Sequence, residues 1–249
     1  MPKNFSDFRI NIGETRAFIR TDSKKAANVA INSIKYSRSE LDKYILKNPN
    51  FFQSLTPLDM PQKSPEIIKR MISAAKFAGV GPMAAVAGAI SDLAVDAMTD
   101  EGAKVAVVEN GGEISANSYI ELNIGIISGS PSISGRFGLK IRPGEMPLGI
   151  CTSSATLSHA LTFGEADAVT ILAENAALGD AASTAICNEV KGKDIEKSIE
   201  RALELTKNIR GVRGAIIIHS GFIGTVGKIP QIISIKGLEE SHLITIKNL

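Results

Sequence analysis

Tryptophan is missing from this 249-residue sequence, and cysteine and histidine occur only two and three times. Cys151 and Cys187 are too few for a disulfide framework and form no metal-ligand spacing. Each sits in an apolar stretch and reads as a buried free thiol. Aromatic residues make up 5% of the chain, and Lys and Arg are scattered along it with a net charge of only +2. That leaves neither the stacking platforms nor the basic patch by which a nucleic acid is held. No stretch of about 18 apolar residues is free of polar interruption, so no membrane span is expected. The opening MPKNFSDFRI has no apolar h-region, which points away from a secretory signal and toward the cytoplasm. Strict GxGxxG, P-loop, CxxC and HExxH patterns are absent.

What is present is an ordinary globular composition, 44% hydrophobic and 22% charged, in a chain long enough to bury a sizeable core. No sharp change in composition marks a linker, so one domain over residues 1–249 is expected. The 22 glycines imply tight turns and close backbone approaches. The alternation of Phe8, Ile10 and Ile12, then Gly13-Glu14, then TRAFIRT reads as a β-hairpin. Asp22 or Ser23 is placed to cap a helix carrying Ala26, Val29, Ala30 and Ile34. Ser37-Arg38-Ser39-Glu40 has the form of a capping box opening a second helix through LDKYILKN. Four prolines between Pro49 and Pro65 predict a loop, packed down by Phe51, Phe52, Leu55 and Met60. Ser64-Pro65-Glu66 is a helix start, and IIKRMISAAKFAG runs from it to Gly79. VGPMAAVAGAISDLAVDAMTDEG follows as a central buried helix, with almost no large polar residue before Asp92.

AKVAVVEN, SYIELNIGIISG, FGLKIRP, MPLGICTS and DAVTILA read as strands. A small-residue helix over 180–190 and a charged helix near Lys193–Asn208 come next, then strands GAIIIHS, QIISI and HLITI. In both halves a small-residue helix leads to a strand ending in glycine, GPMAAVAGAISDL to VAVVENGGE and LGDAASTAICNEV to GAIIIHSGFIG. That echo hints at internal duplication. The mixture predicts an α+β fold with a mainly antiparallel sheet.

Three polar stretches could carry chemistry. Asp180 and Thr184 share a helix face if a helix begins near Asp180. A carboxylate and a hydroxyl so placed are hard oxygen donors suited to Mg²⁺, and a helix N-terminus favours phosphate. The plainer alternative makes Asp180 an N-cap and lets Thr184 bond back within its helix. Glu109-Asn110-Gly111-Gly112-Glu113 lies where a buried strand runs out. Its glycines would let a cofactor approach the backbone, or the Asn-Gly pair simply turns a hairpin. Thr152-Ser153-Ser154-Ala155-Thr156 offers hydroxyls and N–H groups to a phosphate or ring edge, or caps a polar loop. Ser158-His159 is a conceivable nucleophile pair without an evident third partner. His219 and His242 mark a strand end and a strand start and are given no role.

Taken in order, AVAGAISDLAV, VVENGGEI, CTSSAT and DAAST resemble the ApbE-like superfamily. It is best known for Mg²⁺-dependent flavin transferases, which move FMN from FAD onto a Thr or Ser of a partner protein. The nearest likeness is to a shorter prokaryotic branch, through RSELDKYILKNPNFFQSL, GVGPMAAVAGAI, ENGGEI and TSSATLSHALTFGEADAVTILA, and it spans roughly residues 5–230. The resemblance implies an ApbE-like fold with Asp180 and Thr184 as ligands of Mg²⁺. It implies a flavin (FAD or FMN) or another nucleotide near Glu109, Asn110, Gly111, Gly112, Glu113, Thr152, Ser153, Ser154 and Thr156. An acceptor protein, or association into a homo-oligomer, belongs to the same expectation.

The transferases also carry a His-x-x-Asp-Pro-x-Thr-Gly segment before the metal helix. Here that interval is LSHALTFGEADAV, without the Asp-Pro pair, and the lipid-attachment cysteine of exported members is missing. Two function classes follow. One is a Mg²⁺-dependent enzyme acting on a flavin nucleotide. The other is an accessory or metabolite-binding protein that reuses the fold, which the branch links to sulfur and homocysteine metabolism.

Overall fold

The expected N-terminal hairpin forms between β1 (Ser6–Ile12) and β2 (Thr15–Thr21) and closes at Gly13-Glu14. The structure is a computed structural model that describes residues 5–130, 133–156, 162–235 and 243–245. Helix α1 (Lys24–Lys47) is capped by Ser23, whose hydroxyl accepts the Ala26 N–H. Asp22 serves elsewhere: its carboxylate accepts the N–H groups of Lys104 and Val105, both at 3.1 Å. The capping box expected at Ser37–Glu40 is corrected, because α1 runs through it unbroken. A cap is useful only where N–H donors are free. Ala30, Ile34 and Leu41 here keep one buried stripe continuous, and Arg38 pairs with Glu14 and Asp42.

Between Pro49 and Pro65 the chain makes a short helix, α2 (Pro49–Gln53), before the loop. Phe51 is buried edge-on against Tyr44, but Phe52, Leu55 and Met60 are exposed, contrary to expectation. Backbone contact holds this segment down instead: a Cβ on Gly81 would lie 1.8 Å from the Ser54 carbonyl oxygen. Helix α3 (Glu66–Ala78) begins after Pro65 with no side-chain cap, so the Ser64 hydroxyl expected there is buried without a partner. It ends, as the sequence predicts, at a left-handed Gly79. The long helix expected next is broken into a 3₁₀ turn (Pro82–Ala85) and α4 (Val86–Asp100). Among the described residues no single helix is long and apolar enough to cross a membrane.

The remaining elements are β3 (Val105–Asn110), β4 (Glu113–Ser118), β5 (Leu122–Gly125), β6 (Phe137–Ile141), β7 (Leu148–Ser153) and β8 (Ala168–Ala173). They are followed by α5 (Ala176–Glu189), α6 (Ile195–Lys207), β9 (Val212–His219), β10 (Phe222–Gly227), β11 (Gln231–Ser234) and β12 (Leu243–Thr245). One sheet has the order β1-β2-β3-β4-β7-β8-β9-β10 with every pair antiparallel. A smaller sheet has the order β11-β6-β5-β12, its β12–β5 pair parallel. The fold is therefore α+β and mainly antiparallel. SYIELNIGIISG yields mainly the four residues of β5, and neither β4 nor β10 was foreseen.

The suggested duplication appears as topology. An antiparallel pair, then helices, then a second antiparallel pair laid beside it describes β1–β4 and again β7–β10. Strand alternation gives the large sheet two apolar faces. Ala17, Ile19, Ala106, Val108, Ile171 and Ile217 face the helices. Val107, Ile114, Ile150 and Ile216 face Ile124, Leu139 and Ile141 of the small sheet. The small-residue helices α4 and α5 cross near the middle of the helical face, where Gly88 is indispensable. A Cβ on it would lie 2.2 Å from the Ala176 carbonyl oxygen.

Candidate functional site

Helix α5 begins at Ala176, four residues before Asp180, and this changes what each acidic residue does. Asn175 caps it, accepting the Leu178 N–H at 2.9 Å. The Ala176 and Ala177 N–H groups donate to the carboxylate of Asp92 on α4, at 2.9 and 2.8 Å. Ser115 Oγ donates to the same carboxylate at 2.7 Å. The N-terminus of α5 is thus filled by the protein's own charge and is not open to phosphate, a correction to the expectation for this helix.

The arrangement is reciprocal. Asp180 does not cap its own helix. Its carboxylate reaches across the crossing, where Oδ2 accepts the Gly88 N–H at 2.9 Å, and Ala87 in the same first turn of α4 also donates to it. Each small-residue helix therefore has two of its free N–H groups satisfied by an aspartate of the other.

Around Asp180 the structure gathers several of the residues singled out in the sequence. Gly111 and Gly112, with φ of 67° and 115°, make the two-residue turn between β3 and β4. Asn110 Nδ2 donates to the Ala87 carbonyl at 3.2 Å and ties that turn to α4. Glu113 stands opposite Cys151 in the β4–β7 register and is buried on the helical face. Glu109 points to the other face, but its Oε1 folds back to accept the Gly112 N–H at 2.9 Å.

Ser153 Oγ lies 2.9 Å from Ser183 Oγ and 3.4 Å from Thr184 Oγ1, and Ser183 Oγ donates to the Asp180 carbonyl at 2.8 Å. The Thr-Ser stretch and the Asp-Thr helix are therefore joined through Ser153. Thr152 is not part of this group: alternation along β7 turns it to the other face, where it bonds Thr170 at 2.8 Å. Ser154 and Thr156 bond each other at 3.1 Å, and Thr156 packs against Gly129. His219 ends β9, buried, with Nδ1 unpartnered. Ser158, His159 and His242 lie outside the described residues.

Sequence reasoning missed Asp92 and Ser183 as members of this group. The signal for Asp92 was present, as the first charged residue in a long run of small apolar ones. Such a residue is buried only with partners.

The site gathers more carboxyls than its surroundings can hold ionised. Burial pushes the Asp180 carboxyl up to about 7, against the two N–H groups that hold it down. Burial likewise raises Glu109 to about 7, opposed by the Gly112 N–H and by Arg9. Glu113 is pushed well above the carboxylate range by burial and then by the charges of Asp180 and Glu109. Cys151 is pushed far up by burial and by Asp180, Glu113 and Asp92, so it stays a neutral buried thiol.

These carboxyls hold protons in the folded protein that the unfolded chain gives up near pH 4, so unfolding releases protons above that point. Stability is expected to fall as pH rises from about 5 to about 7.5, and Mg²⁺ is expected to raise the melting temperature more at the upper end. Thermal melts by circular dichroism across that window, with and without the cation, check both. A profile that rises with pH would count against a strained acidic cluster.

Helices on one side of a broad antiparallel sheet and a small sheet on the other are an architecture shared with solved ApbE structures. The same architecture occurs in the ApbE protein of Thermotoga maritima, with a TM-score of 0.60 and 16% identity over 89% of this chain and 96% of that one. A variant of the flavin transferase ApbE from Vibrio cholerae gives 0.58 at 11% identity, over 90% and 97%. The flavinyl transferase ApbE of Pseudomonas stutzeri gives 0.55 at 15%, over 90% and 94%.

Within that fold the chain belongs to the family described as AbpE bacteria, whose profile matches residues 1–220. Its relatives include UPF0280 protein MJ1526 of Methanocaldococcus jannaschii, 40% identical over 90% of this chain and 92% of the relative. UPF0280 protein MK0206 of Methanopyrus kandleri is 41% identical over 92% and 93%.

Proposed function

We propose that the site at the α4–α5 crossing binds a flavin nucleotide together with Mg²⁺, and that the protein passes the FMN half of FAD to a hydroxyl of an acceptor protein. One observation carries this reading. Asp180 and the partly exposed Thr184 hydroxyl, linked through Ser153, stand beside a second buried carboxylate, Glu113. The donors are all oxygen and hard, and a cation would supply the positive charge that ionised Asp180 and Glu113 lack, which suits Mg²⁺. Among the described residues no three or more His, Cys, Asp or Glu are grouped to hold a metal. The cation would therefore rest on one carboxylate, Thr184 and ligand oxygens, as Mg²⁺ commonly does.

Asp180 and Thr184 would hold the cation, and Ser153 would keep the Thr184 hydroxyl turned toward it. The Gly111-Gly112 turn presents backbone with no side chain in the way, which suits close approach of a flat ring. When bound, Mg²⁺ supplies neutralisation of pyrophosphate charge. The shared fold with proteins named flavin transferases supports the same reading.

A second reading, an accessory or metabolite-binding protein, is favoured by one feature: LSHALTFGEADAV has no Asp-Pro pair. Calorimetry with FAD and with FMN, each with and without Mg²⁺, tests the proposal, with AMP release followed in the presence of a Thr-containing acceptor. Mg²⁺-dependent FAD binding with AMP release supports transfer. Binding without AMP release moves the protein to the second reading, and no heat with either flavin sinks the flavin site altogether.

A further inference from the structure

The two edges of the large sheet differ in how they are guarded. β1 exposes the charged Asp7 and Arg9 and the polar Asn11 along its length, and charges of this kind discourage pairing with another strand. β10 reads FIGTVG, with no charge and no proline, and its Phe222 and Ile223 are 44% and 53% exposed. Between Phe222 and Ile235 only Lys228 is charged. The two-residue turn Ser220-Gly221, with φ of 51° and 83°, closes β9 on β10 and pairs His219 with Phe222. In such a hairpin the closing pair is hydrogen-bonded and bonding alternates along the strand. Phe222, Gly224 and Val226 thus bond toward β9, and the exposed Ile223 and Thr225 direct their N–H and C=O groups outward.

We propose that β10 pairs antiparallel with β10 of a second copy of this chain, joining the two large sheets across a two-fold axis. The charges say why the occupant is a second copy. With the axis at Gly224, Ile223 bonds Thr225 of the copy and Phe222 lies beside the copy's Val226. Lys228 then stands opposite the copy's Ser220. At Ser220 there is a carboxylate, since Asp167 Oδ2 accepts the Ser220 N–H at 2.8 Å. Lys228 is exposed and pairs with no carboxylate among the described residues.

One rotation therefore makes a Lys228–Asp167 pair at each end, the self-complementarity an isologous interface requires. The axis falls on Gly224, one of the two β10 positions without a side chain. A Cβ on Gly224 would in any case lie 2.5 Å from Ile199 Cγ2, so the glycine also seats α6 on the strand.

Sedimentation of the full chain over a concentration series tests this. The expected result is a species of twice the 26.4 kDa chain mass. Ile223→Lys is expected to weaken self-association about tenfold or more, because it puts a charge into each of the two Ile223–Thr225 pairs, with the two lysines diagonal to one another across the axis. Lys228→Glu, on the surface and outside the strand, is expected to weaken it several-fold. If Ile223→Lys loses its fold by circular dichroism, Lys228→Glu decides. A wild-type chain that sediments as a monomer at every concentration overturns the proposal, as does a dimer unaffected by the folded variants.

Discussion

Asp180→Asn is expected to remove Mg²⁺-dependent flavin binding while leaving the fold intact. An asparagine oxygen can still accept the Gly88 N–H that Asp180 Oδ2 takes at 2.9 Å, so the first turn of α4 keeps its cap. What disappears is the charge. Flavin affinity in the presence of Mg²⁺ should fall at least about 100-fold, more than the 10–100-fold typical when only a supporting residue of a metal site is changed. Without Mg²⁺ the variant should be as stable as the wild type or more so, because the Asp180 charge helps drive Glu113 upward. Asp180→Ala, by contrast, strands the Ala87 and Gly88 N–H groups and should destabilise the protein by about 1–3 kcal/mol. Calorimetry and urea denaturation separate the two effects. An asparagine variant that binds FAD and Mg²⁺ like the wild type would remove Asp180 from the metal site.

Asp92→Ala is expected to be the more damaging change to stability, with a loss of about 3–5 kcal/mol or failure to fold. Three donors converge on this one buried carboxylate: Ala176 N–H, Ala177 N–H and Ser115 Oγ. Alanine leaves all three unsatisfied at the point where α5 starts, and the positions of Asp180 and Thr184 depend on that start. Burial raises the Asp92 pKa despite these bonds, so the carboxylate is only partly compensated. Asp92→Asn keeps an acceptor without the charge and should therefore lose less than alanine. Urea unfolding measures the difference. A loss below about 1 kcal/mol for alanine would mean that Asn175 alone is enough to start the helix.

Much of the local structure was legible because it is encoded locally. Alternation in Phe8, Ile10 and Ile12 specified a strand, and Gly79 ended α3 in the left-handed conformation. The hairpin at 109–113 is one of two readings the sequence leaves open, and its turn residues are Gly111-Gly112 rather than the Asn-Gly pair. The error at Ser37–Glu40 has the same origin: the pattern of a capping box is real, but a helix already underway has no free donors there. At the site, the order of the three polar stretches was readable and their convergence was not. Ser153 and Thr152 are neighbours of similar chemistry, and only the placement of β7 between two faces sends one to Thr184 and the other to Thr170.

The sequence by itself determined the α+β class, the small-residue character of the two central helices, the inert cysteines and the residue types available for an oxygen-donor site. Tertiary structure alone decided where α5 begins and which helix each aspartate serves. Asp92 and Ala176 are 84 residues apart, and Asp180 and Gly88 are 92 apart. No local periodicity can express bonds over such separations. They exist because two helices without bulky side chains cross closely enough for each carboxylate to reach the other's unsatisfied N–H groups.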